Sequence, residues 1–429
     1  MPWWRTILTV MNLAGMRFGG AIIGLLTQIL LTHLLSETDV GTVLLAMSAA
    51  SLISLCGTLG YPVLALTSTA RYAALGRKRL LAAFKTIMVR DTAVVGLLAT
   101  GVALAVACFA PVSEAMATAI VVGCLAAPFA AMLRMNSALA NSERRFALSY
   151  APDFLFRPGL FALYLIAHWA FSGSLSRVDV LAVFVVVLAG VAIAQALLMG
   201  QQGILPPYAP FNPSLARPLR LRALSLAIVF AVSSAFGDLI TLLGGLYLPA
   251  DEVAVLGLAV RLATLAGFVT QAAQQMVLPD LALVMARQPR ADVNRLLLKV
   301  NLISLSAITA CVLGTIVLGH FALSLFGAPY AAGQLALVIL MVSQAFRAAS
   351  GLNQHLLSIT GFQAKTAISC IFAATVLVAG VSVLAPRYGV NGAAVAVLVA
   401  DAVWALLLAI QAGRYAGYRG DIAGLLRPR

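Results

Sequence analysis

The chain alternates long apolar runs with short polar connections. Runs of about 20 residues, enough to cross a hydrocarbon core as helix, fall at roughly 12–35, 41–68, 86–110, 114–136, 147–171, 179–200, 223–248, 252–278, 296–318, 331–357, 364–386 and 389–412. The pattern predicts about twelve transmembrane helices, hence an all-α polytopic membrane protein. In the first run, Arg17, Gly20, Gly24, Gln28 and Thr32 recur at spacings of three and four, so they share one helical face while Leu, Ile and Ala fill the others. A charge in a spanning helix is costly unless it faces a bundle interior or water. This helix is therefore expected to have a lipid side and an interior side, with Gly20 and Gly24 letting a neighbouring backbone come close.

The connections divide by charge. Odd-numbered turns, such as Ser36 to Asp39, Pro111 to Glu114, Leu248 to Glu252 and Gly327 to Tyr330, carry almost no positive charge, Arg177 and Arg387 being the exceptions. Even-numbered turns hold Arg71, Arg77, Lys78 and Arg79, then Arg144 and Arg145, then Arg217, Arg220 and Arg222, then Arg287, Arg290 and Arg295. By the positive-inside rule both termini are expected on the cytoplasmic side. The net charge of +14 is thus a topology signal, and with no aromatic-interleaved basic patch it argues against nucleic acid as a partner. Composition agrees: 62% of residues are hydrophobic and 10% charged, where a soluble domain carries about 25% charged. The opening Met1-Pro2-Trp3-Trp4-Arg5 has no cleavable-signal pattern, so the first helix is expected to stay in the mature protein. Five scattered cysteines and four dispersed histidines have neither disulfide nor metal-ligand spacing, so no metal site and no catalytic residue is expected.

A repeat organises the helices. Leu35-Ser36-Glu37-Thr38-Asp39-Val40 aligns with Leu248-Pro249-Ala250-Asp251-Glu252-Val253 at an offset of 213, and Arg79-Leu80-Leu81 with Arg295-Leu296-Leu297 at an offset of 216. The unit is six helices, an even number, so the expected architecture is two six-helix bundles related as parallel repeats about the membrane normal. Residues 1–200 would form the first bundle and 223–429 the second, with 201–222 a Pro/Arg-rich cytoplasmic linker in which Pro206, Pro207, Pro210, Pro213 and Pro218 interrupt helix. Gly60-Tyr61-Pro62 is expected to kink the second span.

Two segments resemble a known family. Leu34-Leu35-Ser36-Glu37-Thr38-Asp39-Val40-Gly41, followed by Thr58-Leu59-Gly60-Tyr61-Pro62, is similar to the first hairpin of bacterial polysaccharide (lipid-linked oligosaccharide) flippases. Pro386-Arg387-Tyr388-Gly389-Val390-Asn391-Gly392-Ala393-Ala394 is similar to that family's turn into its last helix, Pro-x-Tyr-Gly-x-x-Gly-Ala-Ala. The family lies within the multidrug, oligosaccharidyl-lipid and polysaccharide exporter superfamily. The resemblance implies alternating access and a non-enzymatic transporter, working as a monomer in the bacterial inner membrane. It would move a polyprenyl-diphosphate-linked glycan from the cytoplasmic to the periplasmic leaflet, with membrane lipids and polysaccharide polymerase or assembly proteins as partners. No cofactor is implied; protons, sodium or the membrane potential are the open alternatives for driving the cycle.

Such a headgroup is anionic and needs cations in a wet cavity near mid-membrane. Arg17 and Gln28 on the first helix are candidates, Arg17 lying about 8 Å from its helix start at about 1.5 Å per residue, also within snorkelling reach of headgroups. On the seventh helix Asp238 shares a stripe with Ser234, Thr241 and Gly245; on the eighth Arg261 shares one with Thr264, Phe268, Gln271 and Gln275. Asp238 and Arg261 are equally far from the turn at Pro249-Ala250, so they are either a structural ion pair or one that opens to substrate. Arg347 on the tenth helix, with Ser343 on its face, and Asp401 on the twelfth complete the candidates. Substrate contacts are expected from Arg17, Gln28, Arg261, Gln271 and Arg347, and coupling from Asp238 and Asp401. Asp153 and Arg157, four apart between Pro152 and Pro158, read as a local ion pair at a bend, and Arg90 with Asp91 as snorkelling charges. The rival readings are a cation-coupled drug or metabolite antiporter of the same superfamily and, from another class, a membrane glycan polymerase or ligase, which would need longer periplasmic loops.

Overall fold

Helix formation follows the apolar runs. The computed structural model describes residues 3–172, 175–204, 213–287, 290–417 and 420–421. The first helices are α1 (Trp3–Leu34), α2 (Glu37–Thr58), α3 (Tyr61–Ala74), α4 (Lys78–Phe109), α5 (Glu114–Ser142) and α6 (Phe146–Ala151). After a π-helical turn, Pro152–Phe156, come α7 (Arg157–Ser172), α8 (Arg177–Gln201) and α9 (Pro213–Tyr247). Then follow α10 (Ala250–Arg287), α11 (Arg290–Ser324), a 3-10 turn Ala328–Gly333, α12 (Gln334–Ala349), α13 (Asn353–Ile359), α14 (Gln363–Gln411) and a π-helical turn Ala412–Ala416. Among the described residues there is no strand, and all twelve apolar runs are helical. The last two runs share α14, broken at Gly389 (φ 58°, ψ −141°). The protein is an all-α polytopic membrane protein of two six-helix bundles.

The chain divides into two compact units, Met1–Ala231 and Val232–Arg429, and α9 runs across that division. Three helices of the first unit restart directly after a turn for the same local reason. Ser36, Ser113 and Ser176 cap α2, α5 and α8, accepting the backbone N–H of Asp39 at 3.3 Å, Met116 at 3.3 Å and Asp179 at 3.2 Å. Each cap satisfies an otherwise orphaned donor, worth about 1 kcal/mol.

Glycines set the closest approaches. A Cβ on Gly20 would strike the Phe154 carbonyl in the π-helical turn. Pro158, four residues on, has no N–H to offer that carbonyl, which leaves α1 free to seat against it. Gly24, its expected companion, meets nothing within 4 Å. A Cβ on Gly123 of α5 would come within 2.7 Å of Ala49 Cβ and 3.0 Å of Ala50 N, so α2 and α5 pack backbone to backbone. The second span does kink: Leu59 (φ 48°) and Gly60 (φ 72°) separate α2 from α3. Against Gly60 lie Ala223 O and Ala227 N of α9, each 2.5 Å from where a Cβ would be, so only glycine fits.

That break lies beside the core of the basic-loop end of the first unit, where Tyr61, Phe84, Ile87, Met88, Met135 and Met199 pack with Ala216, Leu219 and Ala223 of α9. Asp91 is buried there and Arg220 reaches it as a fork, Nε to Oδ2 at 2.7 Å and Nη2 to Oδ1 at 2.6 Å. Tyr61 Oη donates to the same carboxylate at 2.6 Å. The side chains are 6% and 50% exposed for Asp91 and Arg220. Asp91 is thus a paired anchor for α9 rather than a snorkelling charge. Arg157 and Asp153 pair at 2.9 Å, as their spacing predicts.

Both units follow one internal plan. Asp39, at the start of α2, lies 3.7 Å from Arg177 at the start of α8. Glu252, at the start of α10, points at Gly389, with Oε2 3.0 Å from where a Cβ would be; the two acidic residues are 213 positions apart. Gln195 of α8 donates to Ser137 of α5 at 3.1 Å. In the second unit Ser343 of α12 donates to Asp401 of α14, and both members lie 206 positions further along (343 against 137, 401 against 195).

Two outcomes follow for purified protein. Arg220→Ala strands a buried carboxylate and is expected to cost about 1–3 kcal/mol, the half-exposed guanidinium setting the low end. The double variant Asp91→Leu/Arg220→Met should unfold at a higher temperature than Arg220→Ala alone, because no unpaired charge stays buried. Gly123→Val should lower the unfolding temperature in detergent by several degrees, a loss of at least about 1 kcal/mol, while Gly24→Val leaves it unchanged.

Candidate functional site

The second unit holds a charged cluster assembled from three helices. On α12, Ser343 and Arg347 are four apart and so share a face; on α14, Asp401 and Trp404 are three apart and do the same. The two faces meet. Ser343 Oγ donates to Asp401 Oδ2, and Arg347 Nη1 lies 3.4 Å from Asp401 Oδ1. The Arg347 guanidinium carbon stands 4.9 Å from the Trp404 ring centre and 5.6 Å from that of Phe236 on α9.

Burial is unequal across the pair. The Asp401 side chain is 2% exposed and that of Arg347 22%. A carboxylate so deep in an apolar bundle is tolerable only with donors at hand, which Ser343 and Arg347 supply. The guanidinium lies beyond the usual N–H···O distance of about 2.9 Å. It is held as much by two aromatic faces, each such contact worth about 0.5–2 kcal/mol, as by the carboxylate. A partly exposed cation with a planar fork, backed by a buried anion and flanked by rings, can take a second anionic partner without leaving its seat. The equivalent place in the first unit carries Gln195 where the second carries Asp401, so among the described residues this contact is charged in the second unit and neutral in the first.

Of the other candidates, Gln28 lies on α1, Asp238 on α9, and Arg261 and Gln271 on α10. The Arg17 side chain lies outside the described residues, as do those of Ser234 and Gln275. Gln28 is half-buried beside Thr27, whose hydroxyl donates to Ile23 O at 2.6 Å. Asp238 and Arg261 are both half-buried. Their helices touch at that depth, a Cβ on Gly237 falling 3.2 Å from Val260. Of their stripes, Thr241 and Gly245 are buried, whereas Thr264, Phe268 and Gln271 are exposed. Sequence reasoning placed Arg347 and Asp401 separately; the structure joins them. It missed the rings of Phe236 and Trp404, although the three-residue spacing of Asp401 and Trp404 was a visible signal. Among the described residues no three His, Cys, Asp or Glu side chains are grouped to hold a metal.

No protein-family profile matches the chain, and no curated protein matches its sequence. Solved structures do match in fold. An inward-facing multidrug resistance MATE family transporter of the MOP superfamily superposes with a TM-score of 0.77 at 13% identity, covering 93% of this chain and 94% of that one. The lipid II flippase MurJ, in an inward closed conformation, gives a TM-score of 0.71 at 13% identity, over 94% of this chain and 87% of that one. A MOP superfamily transporter from Pyrococcus furiosus, described by the reversed polarity of its binding pocket, gives 0.54 at 12% identity over 98% and 96%. The chain has the fold of the MOP-superfamily transporters.

Proposed function

We propose that this protein is a flippase that carries a lipid-diphosphate-linked oligosaccharide, a cell-surface polysaccharide precursor, from the cytoplasmic to the periplasmic leaflet by alternating access. The observation that supports it is the Arg347 seat: a partly exposed guanidinium over Trp404 and Phe236, with the buried Asp401 3.4 Å behind it. The fork suits a phosphate. A diphosphate arriving from the exposed side competes with Asp401 for Arg347; Asp401, released, takes up a proton or sodium ion, which links substrate movement to an ion gradient. Arg17, Gln28, Arg261 and Gln271 would add contacts to the headgroup, and Asp238 a second coupling carboxylate. The two units, Met1–Ala231 and Val232–Arg429, would act as the two moving bodies, with α9 running from one into the other. Both termini would face the cytoplasm of the bacterial inner membrane. The protein would work as a monomer beside polysaccharide polymerase or assembly proteins.

A second reading is a cation-coupled antiporter of drugs or metabolites, and the burial of Asp401 is the observation that favours it. The two separate in proteoliposomes. With a fluorescent polyprenyl-diphosphate oligosaccharide, Arg347→Lys keeps the charge but loses the flat fork and the stacking, and flipping is expected to fall about tenfold, about 1.4 kcal/mol, at unchanged membrane levels. Wild-type flipping in Arg347→Lys and in Arg347→Ala overturns the assignment. Asp401→Asn should still flip but lose its response to an imposed proton or sodium gradient. Gradient-driven export of organic cations with no movement of the lipid would instead establish the antiporter.

A further inference from the structure

Two buried asparagines of the second unit grip the two peptide groups that flank Gly420, beyond α14 and its π-helical turn. Asn353, opening α13, accepts the Gly420 N–H on Oδ1 at 2.6 Å, and its Nδ2 lies 3.5 Å from Asp421 Oδ1. Asn301 of α11 donates through Nδ2 to the Gly420 carbonyl. Asn301, Asn353, Gly420 and Asp421 are all buried. The remaining wall is Gly351 (φ 59°), where a Cβ would strike the Gly420 carbonyl and Asn301 Oδ1. A Cβ on Gly420 would come within 3.1 Å of both Asn353 Oδ1 and Leu356 Cδ1. The pocket therefore reads backbone: an acceptor for one N–H, a donor for the following C=O, and no room for a side chain between them.

The first unit has the counterpart. Lys85 Nζ of α4 donates to Ile204 O, just past α8, at 2.8 Å. Lys85 and Ile204 lie 216 positions before Asn301 and Gly420 (301 against 85, 420 against 204), the offset of the repeated Arg-Leu-Leu. In each unit the third span catches the chain as it leaves the sixth. In the first the captured segment leads on to α9; in the second it is the C-terminal segment. The second pocket also sits on a break in a spanning helix, because Gly351 separates α12 from α13. Arg347 is four residues before it, and Ser350 Oγ donates back to the Arg347 carbonyl at 2.7 Å. Gln274 of α10 reaches the Gly351 carbonyl at 3.4 Å from the other side.

We infer that Asn301, Gly351 and Asn353 form a peptide-backbone binding site whose occupant is the chain's own Gly420–Asp421 segment, docked in cis, and that its occupancy holds the α12–α13 break and so the placement of Arg347. Emptying the site leaves buried amide groups unmet, which favours either return of the segment or closure of the break. The docking stands independently of the transport reading, which enters only through the role given to Arg347.

The test uses protein truncated after Gly417 and a fluorescent peptide of residues 418–425. The peptide should bind the truncated protein at least about tenfold tighter than the full chain, and lose about tenfold with Asn353→Ala in the protein or Gly420→Val in the peptide, each tenfold being about 1.4 kcal/mol. With Trp3, Trp4 and Trp169 changed to Phe, Trp404 is the single tryptophan, excited selectively over tyrosine, and stands against Arg347. Its emission should shift on truncation and return when the peptide is added. Equal binding of the wild-type and Gly420→Val peptides, or Trp404 emission indifferent to truncation, overturns the inference. Should the truncated protein not fold, the full-length Asn353→Ala variant answers instead: trypsin should cut at Arg419 at least about tenfold faster than in wild type, and an unchanged rate overturns the proposal.

Discussion

Inside an apolar helix bundle a polar group has no water to turn to, and each one left unmet costs several kcal/mol. Every informative feature of this structure is a response to that constraint. The hydroxyls of Thr27, Thr42, Thr86, Thr241 and Thr264 bond back to carbonyls four residues earlier on their own helices. The buried carboxylates Asp91 and Asp401 are not met so locally. Asp91 draws in Arg220 and Tyr61, and Asp401 draws in Ser343 and Arg347, and the helices that supply those partners are positioned by the need.

The two units solve the same problem with different chemistry at equivalent places. Where α8 meets α5 the contact is amide to hydroxyl; where α14 meets α12 it is carboxylate to hydroxyl with a guanidinium beside it. An amide is indifferent to ion gradients and to anionic ligands, whereas an ion pair responds to both. The plan of the contact is shared by both halves, and the departure from symmetry lies in its charge, a carboxylate beside a guanidinium in the second half against an amide in the first.

Much of this was legible in the chain. Apolar run length reported the helices, and Gly60-Tyr61-Pro62 reported the break after α2. The spacing of Asp153 and Arg157 reported their pair, and Gly20 a close backbone approach. Gly24 shows the limit, since the same periodicity put it on the same face and it meets open space. Periodicity gives a face and a depth but not the neighbour across the gap. Asp91 and Arg220 are 129 positions apart, and nothing in either local pattern names the other. Arg347 and Asp401 were visible as polar positions on two helices; their pairing depends on how α12 lies on α14, and that is decided by packing rather than by either stripe.

The length of α9 carries a consequence of its own. Its 35 residues extend about 52 Å at about 1.5 Å per residue, against a hydrocarbon thickness of about 30 Å. The surplus is the part that starts at Pro213 and carries Arg217, Arg220 and Arg222. Because Asp91 and Gly60 hold that overhang to the first bundle, its arginines are fixed to that bundle rather than carried on a swinging arm. An overhang so fixed cannot bend away on its own, so a mismatch between the helix and the bilayer thickness has to be met by tilting helix and bundle together or by deforming the lipid. The lipid composition of its host membrane is thereby a mechanical load on the same helix that joins the two halves.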